Sequence, residues 1–209
     1  LGDVYKRQGQ KLSLQQRYDY LKKFGLGEPS GIDFPGAAKG IVHPYDKWDG
    51  RTEYTVMFGQ GLSATTLQSA SVFATLGNGG VRVPQQLVKG TVSDSGRVSE
   101  IPPKEGTRVV SEETADSVGT MLEAAVAEGT GTSAQIKGYR VAGKTGTAQI
   151  AAGKDRESGY TANFSGFAPA ENPKVAVSVT LQRPTKGYYG STSACLLYTS
   201  PSPRDATLS

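Results

Sequence analysis

The chain has 209 residues, with 23 Lys and Arg against 19 Asp and Glu, a formal charge of +4, 36% hydrophobic residues, one His and one Cys. The basic excess is small and unclustered, which argues against a nucleic-acid partner, and a single imidazole and a single thiol leave no His-containing metal cluster and no internal disulfide. No apolar run approaches the length of a membrane span and no signal peptide stands out, which says nothing about the anchoring of a complete protein.

The two ends are expected to be foreign to the fold. One DNA string, GATGTGTATAAGAGACAG, encodes Asp3 to Gln8, and its reverse complement in a shifted frame encodes Cys195 to Ser200. An inverted repeat at both ends of a reading frame is the mark of a translated sequencing adapter, and Pro201 to Asp205 fit its continuation. Residues 1–8 and 195–209 are therefore read as adapter-derived tails and residues 9–194 as the native segment. Removing the tails removes the only Cys and lowers the charge to +3. What remains is long enough for one core or a large part of one.

Ser13 to Phe24 reads as a helix: Ser13 and Gln16 fit a capping box, and Leu14, Tyr18, Leu21 and Phe24 make an apolar stripe. A Gly- and Pro-punctuated loop follows from Gly27 to Trp48. Thr65 to Leu76 is a second helix, with Thr65 and Gln68 as its capping box and Gly77-Asn78-Gly79-Gly80 as its stop. Short strands are expected around Val81 to Val83, Leu87 to Val92 and Val98 to Ile101, with Ser93 to Gly96 as a hairpin turn. Ser111 opens a third helix to Glu128, with Glu112, Glu113 and Asp116 in its first turns. Gly129 to Ser133 reads as a flexible polar loop. Three strands close the segment, Tyr139 to Gln149, Tyr160 to Ala168 and Lys174 to Gln182, with Gly153 to Gly159 and Glu171-Asn172-Pro173 as turns. Short connections between consecutive strands make an antiparallel meander, so the class is α+β, an antiparallel sheet packed with helices.

Lys144-Thr145-Gly146-Thr147 is the run that carries chemistry. An ammonium and a hydroxyl in series can hold a carboxylate. The following Gly leaves bare backbone on which an extended peptide can lie as an added strand. The N–H of Thr147 can face a developing oxyanion. Gly138 to Thr145 also matches the phosphate-loop pattern G-x-x-x-x-G-K-[ST], but that pattern requires a helix to open at the Lys, and the residues that follow are not helix-forming. Nucleotide binding is not expected.

Other polar residues yield to plainer readings. His43, in the long loop before a Pro, is read as a surface or packing residue. Asp33, Asp46 and Asp49 lack the alternating oxygen spacing of a calcium loop. Gln60, between Gly59 and Gly61, either lines a site or belongs to the turn that leads into the second helix. Tyr188 and Tyr189, between Gly187 and Gly190, either line an apolar ligand wall or are half-exposed aromatics beside a turn. No metal or cofactor is expected.

An ordered set of stretches resembles the transpeptidase domain of the class B, division-type penicillin-binding proteins. These are Gly27-Glu-Pro-Ser-Gly-Ile-Asp-Phe-Pro-Gly36, Lys47-Trp48, Phe58-Gly-Gln-Gly-Leu-Ser63, Asn78-Gly-Gly-Val81, Val141-Ala-Gly-Lys-Thr-Gly-Thr-Ala-Gln149, Phe164-Ser-Gly-Phe-Ala-Pro169 and Gly187-Tyr-Tyr-Gly190. The resemblance implies the penicillin-binding-protein or serine β-lactamase-like fold, incomplete at both ends. It implies a serine acyltransferase that takes a peptidoglycan stem ending in D-Ala-D-Ala and is acylated by β-lactams. It places Lys144 and Thr145 at the substrate carboxylate and the Thr147 N–H in the oxyanion hole, with Gly146, Gln60, Gln149, Tyr188 and Tyr189 as candidates for the substrate wall. It further implies an extracytoplasmic domain on a bacterial membrane, working with a lipid-linked glycan polymerase and division proteins.

The chain departs from the family at the nucleophile. No Lys has Ser three residues before it and no Asn has Ser two before it, so S-x-x-K and S-x-N are both missing. In the family they lie upstream of the helix that starts near Ser13, and the last strand and C-terminal helix lie beyond Ala194. The fragment is expected to be inactive alone, to expose apolar surface and to aggregate. A D,D-carboxypeptidase, a serine β-lactamase relative and a non-catalytic sensor of the same fold remain as alternatives.

Overall fold

Each of the three main helices begins at a hydroxyl that accepts a hydrogen bond from the first turn. In the computed structural model, which describes residues 8–32, 34–150, 158–185 and 187–195, α1 spans Leu14–Lys23. Ser13 accepts from the Gln16 N–H while the Gln16 side chain accepts from the Ser13 N–H. After a single helical turn α2 (Thr52–Thr55), α3 (Thr66–Gly77) starts in the same reciprocal way between Thr65 and Gln68. The helix α4 (Glu112–Ala127) starts at Ser111, with Glu112 and Glu113 at the positive end of its dipole. Each such cap contributes about 1 kcal/mol.

The strands are β1 (Val81–Arg82), β2 (Gly90–Val92), β3 (Val98–Glu100), β4 (Thr107–Arg108), β5 (Ala142–Ile150), β6 (Gly159–Ala168) and β7 (Val175–Gln182). The last three form an antiparallel meander in the order β5-β6-β7, with Lys144 opposite Ser165 and Thr147 opposite Ala162. The class is α+β, as its sequence pattern implies.

The strand expected at Leu87 to Val92 starts only at Gly90, because the Gln86 amide donates to Val88 O and Ile101 O and holds the segment before it away from a ladder. Val81-Arg82 does not join that hairpin. It pairs with Thr107-Arg108, a strand the sequence did not announce. The strand expected from Tyr139 starts at Ala142, since Gly138 at φ +86° turns the chain and Tyr139 N–H bonds Ile136 O. The polar turn expected at Gly153 to Gly159 falls almost entirely outside the described residues, as do the tails at 1–7 and 196–209.

Side-chain alternation makes the meander a middle layer. Phe167 faces the helices, lying against Gly77 of α3 and Gly119 of α4. α3 packs on β6 and β7 and α4 on β5. Phe164, three residues before Phe167 and so on the opposite face, is fully buried in a cluster with Val126 at the end of α4, Ala134, Val141, Ala194 and Cys195, so the first residue of the expected tail packs in this core. Segment 187–195 covers that second face: Gly190 N–H donates to Thr147 Oγ1 (3.1 Å) and Tyr188 stacks on Tyr160. Arg140, just before β5, forks onto both carboxylate oxygens of Glu123 in α4 (2.5 and 2.7 Å). That bond holds the Glu123 carboxyl below its ordinary pKa.

The long loop is fastened from inside by one amide. Gln68 is 3% exposed, and its Nε2 donates to the carbonyls of Gly25, Glu28 and Lys39 at 3.1, 2.8 and 2.9 Å. α1 meets the rest less intimately: none of its residues is fully buried, and its apolar stripe rests partly on Tyr45 and Trp48 through Tyr18.

Candidate functional site

Among the described residues β5 is an edge strand of the meander, paired with β6 on one side only, and the candidate residues Lys144 to Gln149 all lie on it. Such an edge offers backbone N–H and C=O groups to an extended peptide. The run 138–145 therefore contains a turn and a strand, and the helix that a phosphate loop needs does not form at Lys144.

Lys144 is solvent-exposed in part, with its ammonium 3.3 Å from Thr145 Oγ1 and 3.0 Å from Thr145 O. A third group completes this cluster. Thr130 Oγ1 is 2.9 Å from Thr145 Oγ1 and accepts from Lys144 Nζ at 3.4 Å. Neighbouring protein shields the ammonium from water and lowers the Lys144 pKa from its ordinary value, with Cys195 acting in the opposite sense. Two hydroxyls and an ammonium gathered at one strand edge, with no carboxylate bonded to any of them among the described residues, form a ready site for a carboxylate.

The sequence reading missed Thr130 and took its surroundings as loose. The loop is instead tied down: Gly131 N–H bonds Ala125 O, and the Gln135 amide bonds Val126 O and Ala127 O, so it caps the end of α4 with a side chain. A hydroxyl between two glycines, at the junction of a helix with the motif strand, was the available signal.

Gly146 is bare for reasons within the chain as well. A Cβ there would stand 2.7 Å from Asn163 Oδ1, and a Cβ on Gly190 would stand 2.6 Å from Gly146 O. The Asn163 amide and the Gly190 backbone both come close because neither glycine has a side chain. Asn163 in turn donates to Ser165 Oγ, which shares a hydrogen bond with Ser178 Oγ across to β7. The polar packing of β6 thus supports the strand that carries Lys144.

Tyr188 and Tyr189 join the far end of the same strand. Their hydroxyls are 3.1 Å apart, their rings 4.3 Å apart, and Tyr188 stacks at 4.7 Å on Tyr160, the partner of Gln149 in the ladder. Both remain substantially exposed. Gln149 is exposed beside them.

Gln60 lies in the turn that precedes α3. Its N–H bonds Thr55 O where the helical turns 52–58 end, on the approach to α3, and α3 packs on β6 and β7. His43 is exposed, and it is its carbonyl that is engaged, accepting from Trp48 Nε1 at 2.9 Å. Asp49 accepts from the Thr52 N–H at 2.6 Å. Hydrogen bonding with Thr52 holds its carboxyl below the ordinary range, so it serves the start of α2. Asp33 lies outside the described residues. Among the described residues no three His, Cys, Asp or Glu side chains gather where they could hold a metal.

Comparisons with known proteins agree on one family. The profile of the penicillin binding protein transpeptidase domain matches residues 4–198. The penicillin-binding protein PbpB of Mycolicibacterium smegmatis is 38% identical over 202 residues, covering 90% of this chain and 31% of the relative. The peptidoglycan D,D-transpeptidase FtsI of Escherichia coli is 36% identical over 175 residues, covering 82% of this chain and 28% of the relative. The crystal structure of penicillin binding protein 3 from Mycobacterium tuberculosis complexed with aztreonam superposes with a TM-score of 0.86 at 37% identity, covering 93% of this chain and 46% of that one. The chain thus spans about a third of the length of these curated relatives, and it belongs to the penicillin-binding protein transpeptidase family.

Proposed function

We propose that the protein to which this chain belongs is a serine D,D-transpeptidase of peptidoglycan cross-linking, and that the chain supplies the carboxylate-binding wall of its active site. The observation that carries this reading is the cluster of Lys144, Thr145 and Thr130 on the open edge of β5. The ammonium and hydroxyls receive the terminal carboxylate of a stem peptide ending in D-Ala-D-Ala, or that of a β-lactam. The edge of β5 pairs with the substrate backbone, and the Thr147 N–H donates to the oxyanion that develops when a serine attacks. Gln149, Tyr188 and Tyr189 bound the wall at its far end.

The attacking serine, which forms the acyl-enzyme, and the lysine that takes its proton are not among these residues, since S-x-x-K and S-x-N do not occur in the chain. An amine from a second stem resolves the acyl-enzyme in the complete protein. We place that protein at the outer face of a bacterial membrane, alongside a lipid-linked glycan polymerase and division proteins. Residues 1–8 and 195–209 remain, in this reading, adapter-derived.

Labelling with a fluorescent penicillin tests both halves. The 209-residue chain is expected to stay unlabelled. The complete protein is expected to label covalently, and Lys144→Ala in it is expected to slow acylation by about 100-fold, the worth of a charge-assisted hydrogen bond to the carboxylate. Stable labelling of the chain alone, or an unchanged rate in the Lys144 variant, would overturn the assignment.

A further inference from the structure

A cavity of about 280 Å³ opens between the Gly25–Gly31 turn, α3 and β1, and two cations line it, Arg82 and Lys104. We propose that it binds a small organic carboxylate, independently of what β5 binds.

The cavity is built around a guanidinium whose charge is not met. Arg82 is half-buried on β1, and no hydrogen bond joins its guanidinium to any described residue. Its Nε is sealed from solvent without an acceptor. Its Nη1 side is set against Gly25, a residue at φ +88° whose missing Cβ makes the room. A guanidinium partly withdrawn from water without a counter-charge is costly, and an anion arriving in the cavity offsets that cost.

Lys104 adds the second charge. It uses one of its three donors on Gly31 O at 3.0 Å and keeps the others for a ligand. The Ser71 side chain adds a hydroxyl, and no Asp or Glu lines the cavity among the described residues. Of the two acids that adjoin lining residues in sequence, Glu28 is paired with Lys22 and Glu105 is not part of the lining.

The rest of the wall chooses among anions. Pro29, Pro84 and Phe24 add apolar surface to the same lining. Inorganic phosphate gains nothing from that surface, whereas a carboxylate with a short hydrocarbon body uses both the cations and the apolar lining. The frame is stiff, because the buried Gln68 amide, which also lines the cavity, holds the Gly25 and Glu28 carbonyls in place.

The carboxylate comes either from a free acid or from an acidic side chain of a peptide, and one titration separates the two. The arginine Nε–Hε signals of the ¹⁵N-arginine-labelled complete protein are followed by nuclear magnetic resonance, with Arg82→Lys used to assign Arg82. The probes are pentanoate, inorganic phosphate, 1-pentanol, and the peptide acetyl-Ala-Glu-Ala-amide with its Gln counterpart. The Arg82 signal is expected to be dispersed and protected, to move saturably with pentanoate, and to move at least tenfold less readily with phosphate or the alcohol. Lys104→Gln is expected to weaken pentanoate binding about tenfold while leaving the spectrum otherwise folded. A response to the Glu peptide that its Gln counterpart lacks assigns the site to protein side chains; a response to pentanoate alone assigns it to free acids. Four results overturn the proposal: a collapsed, unprotected Arg82 signal, no movement with either carboxylate, equal movement with phosphate or the alcohol, or unchanged affinity in Lys104→Gln.

Discussion

The meander with α3 and α4, and the long loop from Gly27 to Trp48, are held by opposite means. In the meander a fully buried aromatic, Phe164, sits in an apolar cluster while Phe167 fills the space left by two helix glycines. The loop buries little apolar surface of its own, and Phe34 and Ile41 within it are exposed. Its fixed points are polar: the Gln68 amide on three carbonyls, the Ile41–Ser63 bridge and the Trp48 indole on His43 O. A hydrophobic layer tolerates the loss of any one hydrogen bond, whereas a polar clamp fails when its central donor goes.

Substitutions at the two centres sharpen this contrast. Phe164→Ala is expected to produce the largest effect, about 3–5 kcal/mol of global stability, read as a lowered denaturant midpoint with every probe falling together. Gln68→Ala is expected to cost about 2–3 kcal/mol, because it strands buried carbonyls. Its signature is local: amide exchange quickens across residues 25–41 and at Thr65 before it changes in β6. Gln68→Glu is expected to be worse than Gln68→Ala, since it turns an acceptor toward the same carbonyls. If Gln68→Ala lowered protection in β6 and the loop equally, the loop would not be a separately fastened unit and the contrast would fail.

Gln68 also shows what was legible in the sequence and what was not. The capping box between Thr65 and Gln68 can be read from two letters three apart, because both bonds are local. The nitrogen of the same amide reaches residues 29 to 43 positions away, and no periodicity records such a bond. The same division holds elsewhere. The three long helices and the meander follow from apolar spacing and turn residues. The β1–β4 pair joins segments two residues long, too short to carry a period. At the site, Lys144 to Thr147 stand out because Gly inside a strand demands a reason, and Tyr188 and Tyr189 fall beside that strand. Gln60, between two glycines, reads equally as site wall or helix-entry turn, and its N–H on Thr55 O places it in the turn that precedes α3. Thr130 escaped because a Gly-Thr-Gly run looks like slack until the helix end it closes is known.

The smallest expected effect tests whether Thr130 belongs to the working edge of β5 or merely to the helix end. Its hydroxyl bonds Thr145 Oγ1 and accepts from Lys144 Nζ. Thr130→Val keeps the shape and removes both bonds, at about 1 kcal/mol of stability, whereas Thr130→Ser keeps both. A hydrogen bond to the ammonium favours the charged form, so Thr130→Val is expected to lower the Lys144 pKa further below that of an ordinary lysine, and Thr130→Ser to leave it in place. The sign is fixed: Lys144 already titrates low because it is shielded, and losing an acceptor pushes in the same direction. Titration of the Lys144 side chain by ¹⁵N resonance reads the shift directly. A helix-end role alone would lower stability in the Val variant and leave the Lys144 titration unmoved, and in that case the proposed carboxylate site would consist of Lys144 and Thr145 without the loop behind them.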